Sequence, residues 1–163
     1  DDLRNDLFYF IKNLDEATIK GASNFYINVL GSLEDIAQSL QYISKITFKH
    51  INNNHKALTF NQIRELKEIS LQLETLFERI KFAFSKNNFE EITSILDSKQ
   101  ELYDSVKEKI NIQISRTKAE ESSPKNTTLY FSILTETKDL IKAAVNLLEL
   151  YSEQYDSKVK PPK

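Results

Sequence analysis

The stretch Phe25-Tyr-Ile-Asn-Val-Leu-Gly-Ser-Leu-Glu-Asp-Ile-Ala-Gln-Ser-Leu40 decides the fold. Its apolar side chains, Tyr26, Val29, Leu30, Leu33, Ile36, Ala37 and Leu40, return at steps of three and four. That is the period of one face of an α-helix, whereas a strand, alternating every two residues, would scatter them over both faces. The stripe extends through Ile19 and Ala22 on one side and Ile43 and Ile46 on the other, so the spacing predicts one long amphipathic helix from about Asp15 to Ile51. The polar turn His50-Ile-Asn-Asn-Asn-His-Lys56 ends it, because Asn tolerates the left-handed backbone that closes a helix and His complements the partial negative charge there.

The pattern is written a second time. Leu129-Tyr-Phe-Ser-Ile-Leu-Thr-Glu-Thr-Lys-Asp-Leu-Ile-Lys-Ala-Ala144 lies over Phe25–Leu40 at one constant offset, so that Tyr26 meets Tyr130, Leu30 meets Leu134 and Asp35 meets Asp139. Ser123 caps this helix and Pro124 takes its first position, where a missing N–H costs nothing, and the stripe runs on to about Tyr155. Between the two copies, Thr59 and Gln62 form a capping-box pattern that opens a helix carrying Ile63, Leu66, Ile69, Leu73, Leu76, Phe77, Ile80 and Phe84, ending near Lys86. The Asn87-Asn88 break is short enough to make its flanking helices antiparallel neighbours. Phe89, Ile92, Ile95, Leu96, Tyr103, Val106, Ile110 and Ile114 then mark a further helix to about Glu120. The cluster Leu7-Phe-Tyr-Phe-Ile11 predicts a short helix within Asp1 to Asn13, and Val159 to Lys163 reads as a frayed tail.

These readings give one all-α domain over residues 1–163, an elongated antiparallel bundle of four long helices plus a short N-terminal helix. The stripes place Leu33 and Leu134 alike in its core. Two Gly and three Pro agree with few turns. With 22 Lys and Arg against 24 Asp and Glu there is no basic excess for a phosphate backbone, so nucleic acid is not an expected partner. The absence of Cys removes thiol catalysis and thiolate metal sites and fits a reducing compartment. No apolar run is long enough to span a bilayer, the Asp1-Asp2 start lacks the regions of a signal peptide, and the missing initiator Met implies a start inside a longer protein or after processing, which leaves room for a membrane portion upstream.

Chemistry-bearing constellations are sparse. His50 and His55, five apart in a polar turn, have neither spacing of helical metal ligands and read as exposed capping residues. Thr47 and Asn52 stand three residues before them, so the Glu-x-x-His pairs of a di-iron bundle are missing. Gly21 and Gly31 are isolated and form no phosphate loop, and no nucleophile-base pair stands out. Acidic pairs such as Asp97 with Glu101 and Glu74 with Glu78 belong with the Lys and Arg around them on solvated faces. An enzyme is not expected.

Three stretches, Phe25 to Leu40, the turn His50-Ile-Asn-Asn-Asn-His55, and Glu121-Ser-Ser-Pro-Lys-Asn-Thr-Thr-Leu-Tyr-Phe131, closely resemble the C-terminal cytoplasmic region of bacterial Na⁺/phosphate cotransporter-family proteins, a PhoU-like domain. The resemblance covers about residues 8 to 155 and implies two related helical halves, each with a Glu/Asp-x-x-x-Asp element able to bind metal. Carried over here, the first element keeps Glu34 but has Gln38 in place of the trailing acid, and the second has Lys138 and Lys142 at both acidic positions. Two ammonium groups repel a cation, so neither a bound metal nor another cofactor is expected. The resemblance implies a non-catalytic regulatory or structural domain of a sodium-dependent phosphate transporter. It would sit on the cytoplasmic face of the inner membrane and contact the membrane part of its own protein, another copy of itself or a signalling protein. The alternatives are a free-standing PhoU-like metal-binding protein of phosphate signalling and a generic helical dimerisation scaffold.

Overall fold

The computed structural model describes residues 5, 6, 9, 12, 16–86 and 88–154. Four long helices account for the continuous part: α1 (Glu16–Asn52), α2 (Phe60–Lys86), α3 (Phe89–Lys118) and α4 (Pro124–Gln154), with no strand among the described residues. Each boundary falls within two residues of the sequence expectation, the margin within which helix ends are defined. The expected N-terminal helix over Asp1 to Asn13, apart from four isolated positions, and the tail from Val159 lie outside the described residues. Among the described residues, no helix is long and apolar enough to cross a membrane.

The caps do what their residue types dictate. Asn54 follows α1 with φ of 51°, in the left-handed region where Asn is tolerated. Thr59 and Gln62 close a reciprocal box: the Thr59 N–H donates to Gln62 Oε1 at 3.0 Å and the Gln62 N–H to Thr59 Oγ1 at 3.3 Å. Asn88 caps α3 by accepting the Glu91 N–H at 3.3 Å, and Ser123 Oγ accepts the Asn126 N–H at 3.2 Å to start α4. The end of α3 is less well served. Glu120 sits at φ 57° while the Glu121 N–H reaches back to the Arg116 carbonyl at 3.0 Å, a position that glycine takes without a Cβ penalty. Replacing exposed Glu120 by Gly should therefore raise stability by about 0.5–1 kcal/mol in a urea titration, and an unchanged or lower midpoint would count against a strained cap.

Cross-helix contacts set the directions. Glu65 meets Arg116 while Arg79 meets Glu91, so α2 and α3 are antiparallel. Lys99 meets Glu149 while Gln113 meets Thr127, which orients α3 against α4. The Phe25 ring packs edge-on against Tyr151 at 5.1 Å, and Asn126 bonds Ala57 at the opposite end, which sets α1 against α4. Between α2, α3 and α4 lie two apolar clusters. One gathers Leu76, Ile80, Ala83, Ile92, Ile95, Ala144 and Leu148, and the other Ile69, Val106, Tyr130, Leu134, Ile141 and Val145. Helix α4 contributes to both and is buried over most of its circumference.

Helix α1 departs from the expected packing. Among the described residues its backbone lies close to α4 alone, and Ile36 packs against the cluster that α2, α3 and α4 share. The buried positions of α1 among the described residues are Ser32, Ser39 and His50, which share the face that packs on α4. The apolar residues Leu33, Leu40 and Ile51 each stand one position later, about 100° further round the helix, and are 39%, 51% and 66% exposed. Leu33 is thus not a core residue, in contrast to Leu134, which is fully enclosed. Ile63 and Ile114, read as stripe positions of α2 and α3, are likewise exposed.

Candidate functional site

The densest chemistry lies at the end of the bundle where α2 and α4 begin. Gln62, Glu65, Gln113, Arg116 and Tyr130 converge there, all buried. Gln62 and Glu65 precede Ile69 on the inner face of α2, and Gln113 and Arg116 continue the line of Val106 on α3, so polar groups occupy positions that packing would give to aliphatic side chains. Burial obliges them to satisfy one another. Arg116 Nη2 donates to Glu65 Oε1 at 2.8 Å and Nη1 to Glu65 Oε2 at 3.4 Å, a two-point clamp, and Nη1 also donates to Gln113 Oε1 at 2.7 Å. The Tyr130 hydroxyl donates to Glu65 Oε2 at 2.5 Å, and the Arg116 guanidinium lies 6.0 Å from the centre of the Tyr130 ring. Gln62 Nε2 donates to Gln113 Oε1 at 3.0 Å and to Ser122 Oγ at 3.2 Å, while Gln113 Nε2 reaches Thr117 at 3.4 Å and Thr127 at 3.3 Å.

Burial pushes the Glu65 carboxyl up, but the hydrogen bonds from Arg116 and Tyr130 and the Arg116 charge outweigh it, leaving the pKa below the ordinary value of 4.5. Burial also opposes the Arg116 charge, and the carboxylate of Glu65 more than restores it. Tyr130 is driven well above its ordinary range by burial and by donating to that carboxylate. The phenol therefore stays protonated and the ion pair charged at neutral pH. The arrangement is a clamp across α2, α3 and α4 whose strong donors and acceptors are engaged with each other.

Beside the clamp an open cleft of about 830 Å³ is lined by Lys56, Thr59, Glu120, Glu121, Ser123 and Asn126 among others. The Asn126 side chain donates to the Ala57 carbonyl at 2.8 Å, tying the α1–α2 loop to α4. His50, read from sequence as exposed, is buried instead, with its Nε2 3.0 Å from the Lys56 carbonyl, and its ring lies 5.0 Å from that of His55. The reason is tertiary: the α1–α2 loop folds back over the end of the α1 face that packs on α4.

The sequence-derived positions fall on α1 and α4. Glu34 is half-buried on α1, while Gln38 on α1 and Lys138 and Lys142 on α4 are exposed. Among the described residues, no ion pair involves Lys138 or Lys142, and no group of three or more His, Asp or Glu is placed to hold a metal ion. The internal echo also separates. Tyr130 and Leu134 are fully enclosed whereas Tyr26 and Leu30 are half-buried, and Asp35 and Asp139 are both exposed. Apolar spacing alone does not reveal the clamp, whose signal in the sequence is polar residues at stripe spacing, Gln62 and Glu65 before Ile69. Compared with protein families, curated proteins and solved structures, the chain matches none.

Proposed function

We propose that this bundle is a non-catalytic regulatory or structural domain of a sodium-dependent phosphate transporter, a PhoU-like domain held on the cytoplasmic side by a membrane portion of the same protein. One observation supports the reading. Two of the three stretches that carry the resemblance adjoin in space, the turn after His50 being tied to Glu121–Phe131 through Asn126 and Ala57, and the third, Phe25–Leu40, packs along the same helix toward its other end at Tyr151. A domain of this kind acts through contacts that favour one state of its transporter over another, with a coupling of about 1–3 kcal/mol.

The test is phosphate uptake. The gene is read upstream of the codon for Asp1, the complete protein is placed in sodium-loaded and sodium-free vesicles, and labelled phosphate entry is followed for it and for a version lacking residues 16–154. Sodium-dependent uptake is expected, with removal of the bundle changing the apparent phosphate affinity about fivefold or more. Finding no apolar spans upstream, or identical uptake by the two versions, would overturn the assignment.

A further inference from the structure

The unused apolar face of α1 points to a second copy of this chain. The side chains Leu33, Ala37, Leu40, Ser44, Phe48 and Ile51 follow one another at steps of three and four, so they share one face, and all six are exposed. Phe48 is 65% and Ile51 66% exposed, values that packing on α4 leaves untouched because α4 covers the Ser32–Ser39–His50 line instead. None of the six is charged, so desolvating the face strands no ionised group. This seam is independent of the transport reading and of the clamp.

We infer that two chains pair through this seam, α1 against α1 and antiparallel, about a two-fold axis beside Leu40. Three observations select a second copy as the occupant. The first is self-complementarity: an axis between Leu40 and Gln41 sets Leu33 opposite Phe48, Ala37 opposite Ser44 and Leu30 opposite Ile51, so large side chains meet at the two ends and small ones flank Leu40. The second is charge. Over the part of α1 that would pair, the acidic half from Phe25 to Gln38 holds Glu34 and Asp35 and no base, and the basic half from Ser39 to Asn52 holds Lys45 and Lys49 and no acid, while Glu16 and Lys20 lie before it. Antiparallel pairing lays acidic half beside basic half, whereas parallel pairing lays like on like, and this decides orientation more than strength. The third is area. With about 200 Å² for a whole large side chain, the exposed parts of the seam and of Gln41 amount to roughly 600 Å² per copy, and about 1,200 Å² for the pair clears the roughly 1,000 Å² that a specific interface needs.

Sedimentation equilibrium and cross-linking of the full chain test this together. The chain should move from 19.0 kDa toward twice that mass as concentration rises through the micromolar range, and Leu40→Glu should hold it at the monomer mass with an unchanged helical signal. Because the chain has no Cys, single cysteines report the geometry directly. Leu40→Cys should form an intermolecular disulfide under mild oxidation, while Phe82→Cys, exposed on α2, should not. An equimolar mixture of Ala37→Cys and Ser44→Cys chains should cross-link at least tenfold faster than either alone. A wild-type chain that stays monomeric throughout, cross-linking by Phe82→Cys as fast as by Leu40→Cys, or faster joining of Ala37→Cys to itself than to Ser44→Cys would each overturn the proposal.

Discussion

Replacing Arg116 by alanine should lower the stability of the fold by about 3–5 kcal/mol and reverse the direction in which stability changes with pH in the acid range. Arg116 and Glu65 are both buried, and the guanidinium holds the carboxylate at two points. Its removal leaves Glu65 enclosed with the Tyr130 hydroxyl as its remaining close donor, so the cost includes the desolvation of an unpaired charge. In the native chain the Glu65 pKa is depressed below 4.5. The stability this contributes is present above the unfolded carboxylate value and disappears as pH falls through the folded one. In Arg116→Ala the same carboxyl, buried without its cation, has a raised pKa. Acid then restores part of the lost stability, and raising the pH past the unfolded value removes it again. Urea midpoints at several pH values between about 3 and 7 check both features. A loss below about 1 kcal/mol with an unaltered pH slope would mean that the clamp is solvated and not a structural tie. Glu65→Leu combined with Arg116→Met provides the complementary result. Removing both charges together should recover part of the stability, because an apolar pair of similar volume needs no counter-ion, and adding Tyr130→Phe should recover more by removing the buried hydroxyl that Glu65 no longer accepts from.

Leu134→Ala should cost about 2–5 kcal/mol, and Leu33→Ala, measured at concentrations where the chain is monomeric, about 1 kcal/mol or less. The two residues are equivalent in an amphipathic reading and different in space. Leu134 has no exposed surface and packs in the cluster of Ile69, Val106, Tyr130, Ile141 and Val145, so truncation loses transfer free energy and leaves a cavity that the surrounding helices fill only in part. Leu33 is already 39% exposed on a helix flank where water takes the vacated space. Denaturant midpoints decide, and equal losses at the two sites would show that α1 is covered by more than α4.

The local code of the chain is strong. Steps of three and four fix which segments are helical, Thr59 with Gln62 and Ser123 with Pro124 fix where two of them start, and Asn54 fixes where the first one stops, because each of these effects acts within a turn of the chain. Helix number and boundaries were accordingly legible. The faces were legible only in part. An apolar stripe states that a helix has something to bury but not which neighbour covers it, and α1 turns its Ser32–Ser39–His50 line, not Leu33–Leu40–Ile51, toward α4. Which line is buried is settled only once the second helix is in place. Glu65 and Arg116 lie 51 residues apart in the chain and mean nothing to each other until α2 and α3 are antiparallel, whereupon burial turns two ordinary surface-type residues into a paired charge. The sequence by itself thus determined the helices and their ends, through interactions a few residues long. Tertiary structure alone decided which apolar face stays outside and which polar side chains meet inside, because both depend on the space between helices that only packing creates.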